Sequence, residues 1–198
     1  MIIITGASSN HFKTMINFIS SFDKYNINNK HTLLIYDLGL NKKELEILEN
    51  LENKHKIEKF DYAKYPYYFN ININAGEYAW KPIIIYNNAK KYKGIIIWLD
   101  AGTIINNNFD EFEEILLNNY IYTPVSPGNI KKWTHIKTLE YLKWNNLTLL
   151  NRSGGCCGFN TDIKWVKNLL KEWNDLALIK ECIAPEGSTR QNHRQDQS

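Results

Sequence analysis

Two rhythms of apolar and polar positions run along the chain. Continuous apolar runs at residues 2–4, 32–36 and 94–99 have strand length and almost no polar interruption, as in strands covered on both faces of an α/β sheet. Residues 56–60 and 120–124 predict two further strands. Elsewhere apolar residues recur every three or four positions. Phe12, Met15, Ile16, Ile19 and Phe22 form one such stripe, and Leu45, Leu48 and Leu51, behind Asn41 as a cap, form a second. Residues 83–92 carry a third helix, opened by Tyr78-Ala79-Trp80-Lys81-Pro82 with the proline in its first turn, where a missing N–H does no harm. Residues 109–117, then Trp133, Ile136, Leu139 and Leu142, then Ile163, Val166, Leu169, Leu170 and Trp173 behind Asp162 as a cap, predict the remaining helices. Residues 61–66 and 67–76 read as loop, and Ser126-Pro127-Gly128 as a turn. Strands alternating with helices predict an α/β fold with right-handed βαβ crossovers.

The candidate chemistry gathers at the ends of these strands. The most apolar run ends on Asp100, followed by the small residues Ala101 and Gly102. Ligands of open α/β sheets bind at that edge; the alternative is that Asp100 only caps the next turn. The second strand ends alike, on Asp37. After the first strand, Thr5-Gly6-Ala7-Ser8-Ser9-Asn10 is a small polar loop that opens a helix. Its N–H groups suit an anionic or nucleotide ligand, and Ser8, Ser9 or Asn10 equally suit helix capping. Lys81 stands at a helix start, where its charge opposes the helix dipole, so either a phosphate or carboxylate partner or a solvent-exposed side chain is expected. In Ser153-Gly154-Gly155-Cys156-Cys157-Gly158-Phe159-Asn160 the three glycines suggest backbone passing close to a ligand.

A length of 198 residues suits one domain, and 43% hydrophobic with 23% charged residues is globular rather than disordered. The formal charge of +3 is too small and scattered for nucleic-acid binding. Cys156, Cys157 and Cys182 are odd in number and lack metal-ligand spacing, which points to a reducing, cytoplasmic setting where the sequons at Asn146 and Asn151 carry no glycan. Cys156 and Cys157 read as small buried side chains rather than a redox pair. The segment carries no basic leader and no apolar run of membrane-spanning length, and its last residues read as the cut edge of a longer polypeptide.

Four motifs then combine: Thr5-Gly6-Ala7-Ser8-Ser9-Asn10-His11-Phe12, Tyr36-Asp37-Leu38-Gly39-Leu40, Tyr78-Ala79-Trp80-Lys81-Pro82 and Trp98-Leu99-Asp100-Ala101-Gly102. In this order and spacing they resemble a little-characterised family of glycosyltransferases known in animals and large DNA viruses. More distantly the chain is similar to the glycogenin-like family-8 glycosyltransferases. Asp100 matches the first residue of that family's D-x-D signature, Gly158-Phe159-Asn160 the segment that lines its sugar pocket, and Asp196-Gln197 its D-Q pair. The resemblance covers nearly the whole chain. It implies the GT-A fold, a Rossmann-like, mixed but mostly parallel sheet flanked by helices. It also implies a hexosyltransferase that moves a sugar from a nucleotide-sugar donor, by analogy a UDP-sugar, to a glycan or other hydroxyl acceptor, in the host cytoplasm if the protein is viral.

By the same analogy Asp100 reaches the metal or the donor ribose, and Asp37 with Thr5, Gly6, Ala7 and Ser8 faces the base and ribose. Asn160, Asp196 and Gln197 contact the transferred sugar, His193 or Arg194 the phosphates, and Lys81 the diphosphate. Mn²⁺ or Mg²⁺ is implied, held by Asp100 with His193 or Asp196, although Gly102 stands where D-x-D has its second Asp. Lysine and arginine are the alternative means of neutralising the departing diphosphate. An inverting enzyme needs a carboxylate beside the acceptor hydroxyl, Asp196 or Asp162; a retaining one does not.

Two other classes compete. A sugar- or nucleotide-binding domain without catalysis accounts for Gly102. A short-chain dehydrogenase is similar in Thr5-Gly6-Ala7-Ser8-Ser9 and in the spacing of Tyr86 and Lys90. It is opposed by Asn10, His11 and Phe12 where glycines are needed, and by Tyr86 and Lys90 preceding the central strand. Trp133 and Trp144 are candidate platforms for an acceptor sugar, but Trp133 falls on an apolar stripe and reads as core, with His135 on the exposed side.

Overall fold

Each of the three apolar runs becomes a strand. The computed structural model describes residues 1–50 and 54–198; Leu51 lies outside the described residues. The elements in order are β1 (Ile2–Ala7), α1 (Phe12–Tyr25), β2 (Thr32–Asp37), α2 (Lys42–Glu49), β3 (Lys56–Lys59), α3 (Trp80–Lys91), β4 (Ile95–Leu99) and α4 (Asp110–Asn119). They continue as β5 (Ile121–Tyr122), β6 (Val125–Asn129), α5 (Ile130–Trp133), α6 (Ile136–Leu142), β7 (Leu150–Arg152), β8 (Cys156–Asn160), α7 (Lys164–Ala177) and α8 (Lys180–Ile183). Close Cα packing divides the chain into two units, Met1–Phe60 with Tyr92–Tyr122 and Gly155–Val166, and Asp61–Lys91 with Thr123–Gly154 and Lys167–Ser198.

The first unit holds a six-stranded sheet in the order β3-β2-β1-β4-β8-β5. β1 to β4 are mutually parallel, whereas β8 runs antiparallel to both β4 and β5. This is the mixed, mostly parallel sheet flanked by helices that was expected. One sheet face, with Ile3, Leu33, Ile35, Ile97 and Leu99, packs on Met15, Phe18, Ile19 and Phe22 of α1 and Leu116 of α4. The alternate side chains Ile4, Leu34, Tyr36, Ile96 and Trp98 are buried too, which is why these strands read as unbroken apolar runs. α2 starts at a capping box: the Asn41 side chain accepts from Glu44 N, and the Glu44 carboxylate accepts from Asn41 N at 2.9 Å.

β1 is longer than the apolar pattern indicates. Pairing with β2 runs on to Ala7 opposite Asp37, so Thr5, Gly6 and Ala7 belong to the strand and the loop shrinks to a 3₁₀ turn at Ser9–His11. No side-chain cap bond opens that turn or α1.

In the second unit β6 and β7 pair antiparallel. Ser126-Pro127-Gly128, expected as a turn, lies inside β6; a register shift between Val125 and Asn129 accommodates the proline, which has no ladder N–H to give. The helix expected from Trp133 to Leu142 is two helices. Thr134 and His135 are extended between them, and His135 Nδ1 accepts from Lys137 N to start α6. The break turns Trp133 off the expected apolar stripe, leaving it half-buried and Ile136 exposed. Among the described residues no helix is long and apolar enough to cross a membrane.

Candidate functional site

The parallel strands of the first unit deliver two carboxylates to one edge. Gly6 stands opposite Tyr36 and Ile4 opposite Trp98, so Asp37 and Asp100 emerge at nearly the same level on either side of β1. Two strand spacings separate them, roughly 10 Å. Asp37 is buried, and its Oδ1 accepts from both Gly39 N and Leu40 N at 2.8 Å, shaping the turn that follows. Asp100 receives the Trp98 indole N–H at 2.6 Å, and its own N–H donates to Gly155 O at 2.8 Å. Beside it Cys156 is half-buried, its thiol pushed up by burial and then by the Asp100 charge, so it is a protonated neighbour rather than a nucleophile. The 8–11 turn is tied to the same edge, with Ser9 N donating to Gly39 O and Asn41 N to Ser9 Oγ.

Not every expected residue reaches this edge. Thr5 is fully buried within β1. Asn160 is the last residue of an antiparallel strand and stands opposite Ile95, at the other end of the sheet from Asp100. There its Oδ1 accepts from Asp162 N, and Asp162 Oδ1 accepts from Gly94 N. The start of β8, with Gly155, is what meets the carboxyl edge.

In the second unit Lys81 and Asp196 form a buried ion pair, Nζ to Oδ2 at 2.8 Å, with side chains 4% and 7% exposed. Lys81 also donates to Gly154 O at 3.0 Å and lies over the Tyr78 and Trp80 rings. The cation at the start of α3 thus has the carboxylate partner its position demands. Gly154 is glycine for a steric reason: a Cβ there would stand 2.5 Å from Asp196 Oδ2 and 3.1 Å from Gln197 Cγ. The turn Gln195–Gln197 is closed by Gln197 N donating to Arg194 O. It is anchored on Trp133, whose carbonyl accepts from Arg194 N and Ser198 Oγ and whose ring carries the exposed Arg194 guanidinium 4.0 Å from its centroid. With Lys132 also over that ring at 4.6 Å, Trp133 is a cation platform.

The backbone just before α3, read from the sequence as loop, is left-handed. Asn74, Ala75, Gly76, Glu77 and Tyr78 all have positive φ, a left-handed turn of five residues. Each non-glycine residue there costs about 1–2 kcal/mol. Gly76 is required twice over, by its φ of 64° and because a Cβ would run into Phe69 O. Glu77, on this turn, is buried and accepts from Gln195 Nε2 at 3.3 Å.

The donor set does not match a divalent cation. Gly102 offers no side chain. His193 is fully buried with both ring nitrogens in use: Nε2–H donates to Ile183 O at 2.9 Å, and Nδ1 accepts from His135 N at 3.2 Å. Burial lowers its pKa to about 4, so the ring is neutral at pH 7. Asp196 Oδ2 is taken up by the Lys81 ammonium. Among the described residues no three His, Cys, Asp or Glu side chains gather to hold an ion.

A family model described as protein of unknown function (DUF1647) matches residues 1–86. No curated protein matches by sequence. Among solved structures the chain is similar to the galactosyltransferase LgtC in complex with donor and acceptor sugar analogues, with a TM-score of 0.59 and 13% identity over 99% of this chain and 68% of that one. It is also similar to the bifunctional glycosyltransferase WbbM, with a TM-score of 0.60 and 14% identity over 92% of this chain and 37% of that one. A third match is core-mannan synthase A from Aspergillus fumigatus in its Mn/GDP form, with a TM-score of 0.60 and 9% identity over 89% of this chain and 64% of that one. The chain therefore spans less than two thirds of two of these three proteins. The likeness identifies the fold as GT-A.

Proposed function

We propose that the chain is a glycosyltransferase that takes a nucleotide-sugar donor, with a UDP-sugar as the first choice, and transfers its sugar to a glycan or other hydroxyl acceptor. One observation carries the reading: on a GT-A sheet, Asp37 and Asp100 emerge level with each other at the carboxyl edge, where such folds bind ligands. Asp100 is assigned to the donor ribose, and the Asp37 turn with Ser8 to the base and ribose. Of the second unit's residues, Asp196 and Gln197 are assigned to sugar hydroxyls. The exposed guanidinium of Arg194 is assigned to phosphate, for which its planar fork is suited. Lys81 holds Asp196 in place and so acts on the sugar through it.

The LgtC complex holds donor and acceptor analogues and the mannan synthase Mn and GDP. Those ligands define the first screen. Hydrolysis of a panel of UDP- and GDP-sugars, with and without Mn²⁺, is expected to yield at least one turned-over donor. A panel in which nucleotides bind but no sugar nucleotide is cleaved would favour the second reading, a binding domain without transfer, for which Gly102 in place of a carboxylate speaks.

A further inference from the structure

Glu77 and Lys81 grip one short turn across a reversal of helix hand. Residues Asn74–Tyr78 wind left-handed, and α3 then starts right-handed at Trp80. With a single hand throughout, positions 77 and 81 would lie one above the other on one helix face. The reversal instead lets Glu77 meet Gln195 while Lys81 meets Asp196. The Glu77 carboxylate is held at both oxygens: Gln195 Nε2 donates to Oε2 at 3.3 Å and Asn74 Nδ2 to Oε1 at 3.0 Å. The turn beneath it is fastened by Trp80 Nε1 donating to Ala75 O at 3.0 Å. A strained backbone that buries a carboxylate persists only where surrounding contacts over-determine it; here two of those contacts are local, and the third, from Gln195, joins the strained segment to the 195–197 turn.

We propose that Glu77 is a positioning residue: its carboxylate holds Gln195 and so fixes the orientation in which Asp196 and Gln197 meet the transferred sugar. This rests on the assignment of Asp196 and Gln197 as sugar contacts. Glu77 touches no reacting atom.

The test uses the full chain with Glu77→Ala, Glu77→Gln and Gly76→Ala, read by amide hydrogen exchange and by sugar-nucleotide turnover. Glu77→Ala is expected to speed exchange at the Gln197 and Ser198 amides at least tenfold while β1 and β4 stay protected. It is also expected to lower kcat about tenfold or more, with KM for the donor within about threefold. Gly76→Ala should act in the same direction by displacing the turn. Glu77→Gln keeps an oxygen for Gln195 Nε2 and should restore both readouts to within about threefold. Unchanged exchange at residues 197 and 198 in Glu77→Ala overturns the proposal, as does faster exchange with unchanged kcat. A wild-type chain that cleaves no sugar nucleotide defeats the transferase reading instead, and the exchange measurement still decides whether Glu77 holds the turn.

Discussion

Lys81 Nζ stands 2.8 Å from Asp196 Oδ2, deep enough that water does little to screen the pair. The pair joins a cation at the start of α3 to a residue more than a hundred positions later in the chain. Removing one partner takes away the ion contact that offsets the burial of the other. Lys81→Met should therefore destabilise the protein by about 3–5 kcal/mol, and Lys81→Met with Asp196→Leu by clearly less, because the double change removes both desolvated charges. Urea unfolding of the three proteins checks this; equal destabilisation by single and double variants would show that the pair does not act as a unit.

Much of this was legible in the residues. Ile2, Ile3 and Ile4, the run ending at Asp100, and the α1 stripe each follow one periodicity, and each element formed as expected. Asn41 capped α2 because its side chain and Glu44 satisfy each other locally. The features that were not legible depend on partners far along the chain. Strand direction is not written in an apolar run, so Gly158-Phe159-Asn160 gave no sign that β8 runs antiparallel and carries Asn160 away from Asp100. Trp133 and Ile136 had helical spacing, but nothing in that spacing disclosed that the main chain extends at Thr134 and His135, where the His193 ring accepts the His135 N–H. The left-handed turn left one trace only, Gly76 in an Asn-rich stretch, and it forms because Trp80 and Gln195 reach back to it.

Asp100→Asn is expected to lower donor turnover at least a hundredfold with little change in stability, since the amide oxygen still accepts from the Trp98 indole. Asp100→Ala removes that acceptor and should cost about 1–2 kcal/mol in addition. Sugar-nucleotide hydrolysis beside thermal melts separates the two effects. Turnover of Asp100→Asn within threefold of wild type would remove Asp100 from the site.

Gly154→Ala places a methyl group 2.5 Å from Asp196 Oδ2, a distance real Cβ atoms do not keep, so the carboxylate that meets Lys81, or the backbone at 154, must shift. A destabilisation of about 1–3 kcal/mol is expected from such overpacking. Against an Asp196→Asn background the penalty should shrink, because the displaced group no longer carries the charge Lys81 holds. Chemical denaturation of the four proteins of that cycle reads the coupling directly, and strict additivity would refute it.

His193 makes stability depend on pH in a definite window. Burial lowers its pKa to about 4 from an ordinary 6.5, and protonation at Nδ1 would forfeit the His135 N–H that this nitrogen accepts. The unfolded chain binds this proton near pH 6.5 while the folded chain does not, so the stabilisation is complete above that pH and is lost as pH falls from 6.5 towards 4. A shift of this size corresponds to about 3 kcal/mol over the whole window. His31 and His55 are lowered too, each chiefly by burial, and contribute with the same sign. Comparison with His193→Gln isolates the one ring. Between pH 7 and pH 4.5 the wild type should lose about 2–3 kcal/mol more unfolding free energy than the variant, measured by urea titration at each pH. The exposed carboxylates Asp110 and Asp175, held low by Lys30 and Lys171, titrate below this window and leave the difference unaffected. Parallel losses in the two proteins would mean that the His193 ring takes up its proton in the folded state as readily as in the unfolded one.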